Sequence, residues 1–260
     1  MTYRLCCNAS ALRARVIRQV FLISIAAMTT SMTSYGDGNS LFDAIRSGDV
    51  RQVRNALSRG VDPNRPELSG QTPLILAALL GRVEIVHLLL DRRASINARD
   101  EAGATALMRA GTSGHLSVVR ELLKRGADIN ATNSAGMTPM LAAIMSDQFG
   151  VAQYLVAAGA DVNLAATNGI TPLIAAIGEG RTNVVGLLLH HHADPNLADG
   201  NGLTPLVSAV ARKSFEMVRL LLAGGADPTR VDSEGRTALR VADLQGSKDI
   251  ANLLRKPTAR

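Results

Sequence analysis

Six threonines, Thr72, Thr105, Thr138, Thr171, Thr204 and Thr237, follow one another at a constant spacing of 33 residues. A glycine stands two places before each, from Gly70 to Gly235. An alanine stands five places after each, from Ala77 to Ala242, and a leucine keeps the same beat from Leu89 to Leu254. A fixed period of this length means a stacked solenoid, in which each small unit buries its apolar face against its neighbours. The pattern begins near Ser40 and runs almost to the C-terminus, which leaves little room for a second domain. Such a chain is expected to be an elongated binding scaffold, and an enzyme only if a site has been added to it.

The unit that starts at Leu68 shows the local physics. Thr72 is a good N-cap, and Pro73 fills the first helical position, where its missing N–H costs nothing. A short helix is expected to about Leu80, with Gly81 turning the chain. A second helix then carries Val83, Ile85, Val86, Leu88, Leu89 and Leu90 at spacings that bury one broad face. A left-handed glycine closes the helix at Gly60, Gly126, Gly159 and Gly225. The following Ala-Asp-x-Asn, as in Ala127–Asn130 and Ala160–Asn163, supplies short polar side chains suited to a tight turn.

These motifs, G-x-T-P-L-x-x-A, a leucine-rich second helix and a G-A-D-x-N close, resemble the ankyrin repeat family over residues 40–256. The resemblance implies an all-α solenoid, an ankyrin stack of helix-turn-helix units with β-turn or hairpin tips. About seven repeats are expected, two of them caps. Residues 37–67 read as the N-terminal cap, 68–232 as five full units, 233–256 as the C-terminal cap and 257–260 as a tail. The chain departs from the family in four ways. Ile75, Met108, Leu141, Ile174, Val207 and Arg240 replace the usual histidine, so apolar packing should stand in for its hydrogen bonds. Ala106 and Ala238 replace proline. Asp147-Gln148 replaces Gly-His, so that inter-helix turn is expected to differ. Arg93 and His192 occupy the left-handed glycine position, at a strain of about 1 kcal/mol or more.

Residues 1–36 stand outside the repeat. Arg4, Arg13, Arg15 and Arg18 are followed by an apolar run of nine residues, Val20–Met28, and then by a small polar stretch. Basic, apolar, small is the order of a secretory signal. The run falls well short of the roughly 20 residues that span a bilayer, so no membrane span is expected after processing. Cleavage after Ser31, Thr33 or Gly36 suits the sequence equally. An organelle transit peptide, a disordered tail and a start nearer Leu12 or Val16 are the rival readings. Both cysteines, Cys6 and Cys7, lie in this leader, so a processed chain would have neither disulfides nor thiol chemistry. The expected location is the bacterial periplasm or outside the cell.

The formal charge of +6 belongs mostly to that leader. Without its four arginines, 24 basic residues face 22 acidic ones. The scattered arginines of the body and an aromatic content of 3% argue against nucleic-acid binding, which needs a basic stripe or stacking rings. The sequence holds no nucleophile-elbow, zinc-protease, Walker or dinucleotide motif, so neither catalysis nor a cofactor is expected. His190, His191 and His192 suggest a metal, but consecutive helical residues diverge and histidine suits a helix C-terminus, so no metal site is expected. His115 reads as part of an inter-helix turn, and His87 lacks an evident partner. Asn130-Ala-Thr132 is a glycosylation sequon.

The resemblance implies that partners meet the concave face of tips and first helices. Mapped here, the pre-threonine column offers Gln71, Met137, Ile170, Leu203 and Arg236, and the helix-end column offers Leu79, Leu80, Met145, Glu179 and Arg212. The apolar group Met137, Ile170 and Leu203 either receives a peptide or fills gaps between repeats, and both readings stand at this point. The expected function is a monomeric, non-catalytic scaffold that binds a protein or peptide. The alternatives are an exported host-directed effector, an immunity or inhibitor protein, and a metal-linked enzyme accessory using His190–His192.

Overall fold

The computed structural model describes residues 38–255; the leader and its cleavage sites, and the tail from 256, lie outside the described residues. Fourteen helices within that span form seven helix-turn-helix pairs. The pairs are α1 (Gly38–Ser47) with α2 (Val50–Ser58), α3 (Pro73–Leu79) with α4 (Val83–Asp91), and α5 (Ala106–Ser113) with α6 (Leu116–Lys124). They continue with α7 (Pro139–Met145) and α8 (Phe149–Ala157), then α9 (Pro172–Gly178) and α10 (Thr182–His190). The last two are α11 (Pro205–Ala211) with α12 (Phe215–Ala223), and α13 (Ala238–Leu244) with α14 (Lys248–Arg255). First helices pack on first helices and second on second, giving two layers. The fold is the expected all-α solenoid. No helix among the described residues is long and apolar enough to cross a membrane.

The periodic residues hold this stack. Each threonine hydroxyl caps its own helix, accepting from the amide three residues on at 3.1–3.3 Å. The caps at Thr105 and Thr237 form without proline at the next position, so a helix starts there on the threonine alone. Every alanine of the beat from Ala77 to Ala242 is fully buried, as are Leu89, Leu122, Leu155, Leu188 and Leu221. Ile75, Met108, Leu141, Ile174 and Val207, which replace the family histidine, are buried as well, whereas Arg240 is exposed. Apolar packing does take over that position.

The backbone keeps its form where the sequence departs. Arg93 and His192 adopt φ of 61° and 64°, the left-handed geometry of the glycines they replace. Asp147 and Lys213 do the same at 61° and 57°, in the column otherwise held by Gly48, Gly81, Gly114, Gly180 and Gly246. The expectation that the Asp147-Gln148 turn would differ is therefore corrected. Its amides bond Ile144 and Ala143 just as Gly114 and His115 bond Gly111 and Ala110. The reason is that the surrounding hydrogen bonds fix the turn, and the residue placed there must adopt whatever φ they impose.

Candidate partner-binding surface

Two ladders tie the units together and position the tips. In the first, each loop asparagine accepts a hydrogen bond from the following unit. Asn64, Asn97, Asn130, Asn163 and Asn196 accept from the amides of Ser95, Asp128, Asp161, Asp194 and Asp227 at 2.7–2.9 Å. The preceding aspartates close the turns internally, as Asp128 does by accepting from Asn130 N at 3.0 Å. The sequence showed that these side chains would bond a turn; that asparagine reaches into the next unit is visible only in the structure. Asn130, the sequon residue, is held in this ladder.

The second ladder runs along the tips. Ser134, Thr167 and Gly200 donate their amides to the carbonyls of Ala102, Ala135 and Asn168 at 3.1, 3.0 and 2.8 Å. At each tip an acidic or amide side chain gathers backbone donors. Asp100 accepts from Ala102 N and Ala104 N, Asn133 from Ala135 N and Met137 N, and Asp199 from Asn201 N and Leu203 N. Alanine stands at the corresponding position 166, where Asn168 accepts from Ile170 N instead, at 3.2 Å. Burial works against the charge of Asp232 at the last tip, but the amides of Arg236 and Glu234 and the Arg236 guanidinium hold its carboxyl below the usual range.

On this frame the pre-threonine column changes character along the stack. Gln71, Ala104 and Met137 are buried, at 2%, 1% and 7% exposure, whereas Ile170 and Leu203 are half-buried against the core. Gln71 and Met137, both named as partner-binding candidates, are thus covered by their own fold, and for Met137 the gap-filling reading is the one that fits its burial. Among the described residues Gln71 Nε2 finds no hydrogen-bond partner there. Arg236 is half-buried and tied to Asp232 and Glu234 at 2.8 and 2.7 Å. In the helix-end column, Leu79, Met145 and Glu179 are half-buried and Leu80 is exposed. Arg212 is exposed but donates to the Gly178 carbonyl of the preceding unit. Gln245 reaches Ala211 O at 3.3 Å and His115 reaches Leu79 O at 3.0 Å in the same manner. Between the two columns, the row of the first helices holds small buried residues in the central units, Ala142, Ala175 and Ser208.

Two polar clusters were missed in the sequence. Arg109, in α5, is buried in an ion pair with Asp100, its Nε 3.0 Å from Oδ2. The available signal was an arginine in a row that otherwise reads Leu76, Ala142, Ala175, Ser208 and Val241. His87, read as unpartnered, lies 3.1 Å from Glu121 of the next unit, and Glu121 also accepts from Arg125 at 2.9 Å. That correction follows from the period: His87 and Glu121 are 34 residues apart, and stacking places them side by side. Among the described residues no three histidine, cysteine or acidic side chains converge as metal ligands. His190 and His191 meet edge to face, with ring centroids 5.3 Å apart.

Family models for ankyrin repeats match residues 41–133, 130–199 and 187–242. Among solved structures, the chain is similar to the ankyrin repeat domain of Bcl-3, a member of the IkappaB protein family, with 30% identity and a TM-score of 0.77. That likeness covers 84% of this chain and 98% of the other. Comparison with curated proteins returns no match. The 33-residue beat, the capped helix pairs, the asparagine ladder and these matches together place the chain in the ankyrin repeat family.

Proposed function

We propose that this protein is a non-catalytic scaffold that binds a protein or peptide across units 134–166, 167–199 and 200–232. Ankyrin repeats generally mediate protein–protein interaction. The observation that carries the reading to this part of the stack is the opening of the pre-threonine column at Ile170 and Leu203. These are neighbouring apolar side chains only half covered by their own fold. Met145 and Glu179 border the other end of the first helices, and the row between them holds only the small buried residues Ala142, Ala175 and Ser208. An apolar strip with a polar border is what a peptide or a protein edge buries on docking.

The leader's basic, apolar, small order supports export, and the envelope of a bacterium is the compartment in which we expect the partner. Affinity capture from envelope and cytoplasmic extracts, with wild type beside an Ile170→Asp, Leu203→Asp variant that still folds, tests both points. One envelope protein held by wild type and lost by the variant is the expected result. Equal capture by both baits refutes the groove assignment, and a cytoplasmic partner refutes the compartment.

A further inference from the structure

The second-helix layer of the first three units carries a patch of positive charge that the linear sequence hides. Two columns of the 33-residue period run across α2, α4 and α6. One reads Arg54, His87, Arg120 and the other reads Arg59, Arg92, Arg125. The five arginines are exposed and His87 is half-buried. In sequence these residues look scattered, but stacking aligns them. Arg51, Arg93 and Lys124 add to the same layer.

The acids on the layer are Asp91, Glu121 and Glu84, the last exposed on α4 in the column of Arg51, and these cations outnumber them. Asp91 is held by Arg125 at 2.8 Å, and Glu121 is buried between Arg125 and His87. Arg92 Nη1 donates to the Leu57 carbonyl at 3.0 Å, and the Arg120 guanidinium lies 5.1 Å from the centre of the Tyr154 ring. Neither partner is an acid. Arg51, Arg54, Arg59, Arg93 and Lys124 are exposed with no carboxylate within ion-pair distance among the described residues. Beyond Arg125 the sign changes abruptly: no Lys or Arg occurs again until Arg181. Residues 38–133 contain 13 basic and 10 acidic side chains, and residues 134–255 contain 9 and 11.

We infer that this face of α2, α4 and α6 is a second interaction surface that takes an acidic segment of a partner protein. It is separate from the groove and independent of the reading given to it. Guanidinium forks match carboxylates in two-point geometry. Packed helices lie about 8–10 Å apart, so the columns repeat at about the spacing of every seventh residue on a helix or every third on a polyproline II strand. A lipid surface fits less well. It rewards inserted apolar side chains, and the large exposed ones (Leu68, Leu80, Phe149, Leu197, Phe215, Val231 and Leu244) all lie off these three helices. Single-stranded nucleic acid would ask for aromatic platforms, which these helices lack, whereas a duplex needs only basic charge and is distinguished by the test.

The test is fluorescence anisotropy with a labelled oligo-glutamate peptide and full-length protein, so that the leader's arginines are common to every sample. Wild type should bind at low salt and release as salt rises. The Arg51→Gln, Arg54→Gln, Arg59→Gln variant should bind about tenfold more weakly, and a Lys213→Gln, Lys248→Gln control should match wild type. Arg93→Gln with Lys124→Gln, on other parts of the stack, should also weaken binding, which keeps the test independent of α2. Unchanged affinity in both patch variants, or no binding by wild type, overturns the inference. Tighter binding to anionic vesicles or to duplex DNA than to the peptide, lost in the same variants, overturns the choice of an acidic protein segment.

Discussion

Residues 101–133 and residues 134–166 fold into the same helix pair, with a threonine cap, a left-handed turn and an asparagine rung in each. Their charged side chains differ. The first unit buries Arg109 against Asp100 and exposes Arg120, Lys124 and Arg125. The second contains no cation, and it meets its neighbour through Tyr154 beneath Arg120. The difference teaches where each kind of information resides. Residues on the 33-residue beat make the scaffold and are interchangeable between units. Residues off the beat set what each unit can bind, and between these two units they differ chiefly in charge.

The comparison can be broken most severely at the scaffold. Asp100→Ala removes the carboxylate opposite buried Arg109 and the acceptor of two amides, and should cost about 3–5 kcal/mol. Denaturant unfolding measures this, and a loss below 1 kcal/mol would show that the pair is incidental. Leu188→Ala, at a fully buried beat position, should cost about 2–5 kcal/mol. Because each unit leans on its neighbours, the two ends of the stack should then unfold in separate steps. A single unchanged transition would show that the units are not coupled as described.

Smaller changes should sharpen the comparison in the other direction. Arg93→Gly relieves a left-handed residue and should add about 1 kcal/mol, raising Tm by a few degrees. Asn64 Nδ2 reaches the Arg93 carbonyl just as Asn196 Nδ2 reaches that of Gly225, so the turn already has the form glycine prefers. A lower Tm would contradict this. Ala166→Asp would give the 167–199 tip the acceptor that Asp100, Asn133, Asp199 and Asp232 supply elsewhere. About 0.5–1.5 kcal/mol of added stability is expected by the same melting measurement, and an unchanged Tm would show that Asn168 already serves that amide fully.

The fold was legible because its determinants repeat. Each of the six threonine caps, the buried alanines and the three columns of left-handed positions recurs at one spacing, so a departure in one unit is outvoted by the others. Asp147 shows the limit of that logic. Its turn was expected to change because glycine was absent, but backbone hydrogen bonds from flanking helices imposed the same φ. The candidate site was only partly legible. The column containing Gln71, Met137, Ile170 and Leu203 follows from the period, but the depth of each side chain depends on how closely neighbouring units pack, which no spacing reveals. The Asp100–Arg109 pair, the His87–Glu121 contact and the arginine columns were hidden for a related reason. They join residues that are distant in sequence or fall in different units, and a linear reading of charge disperses them.

The central claim is that the pre-threonine column divides into scaffold at Gln71 and Met137 and open surface at Ile170 and Leu203. Thermal melting of Met137→Asp, Ile170→Asp and Leu203→Asp side by side tests it most directly. The account predicts a large loss of Tm for Met137→Asp and a markedly smaller one for the other two, which keep a cooperative transition. Equal, large losses in all three would make the whole column core and remove the proposed groove.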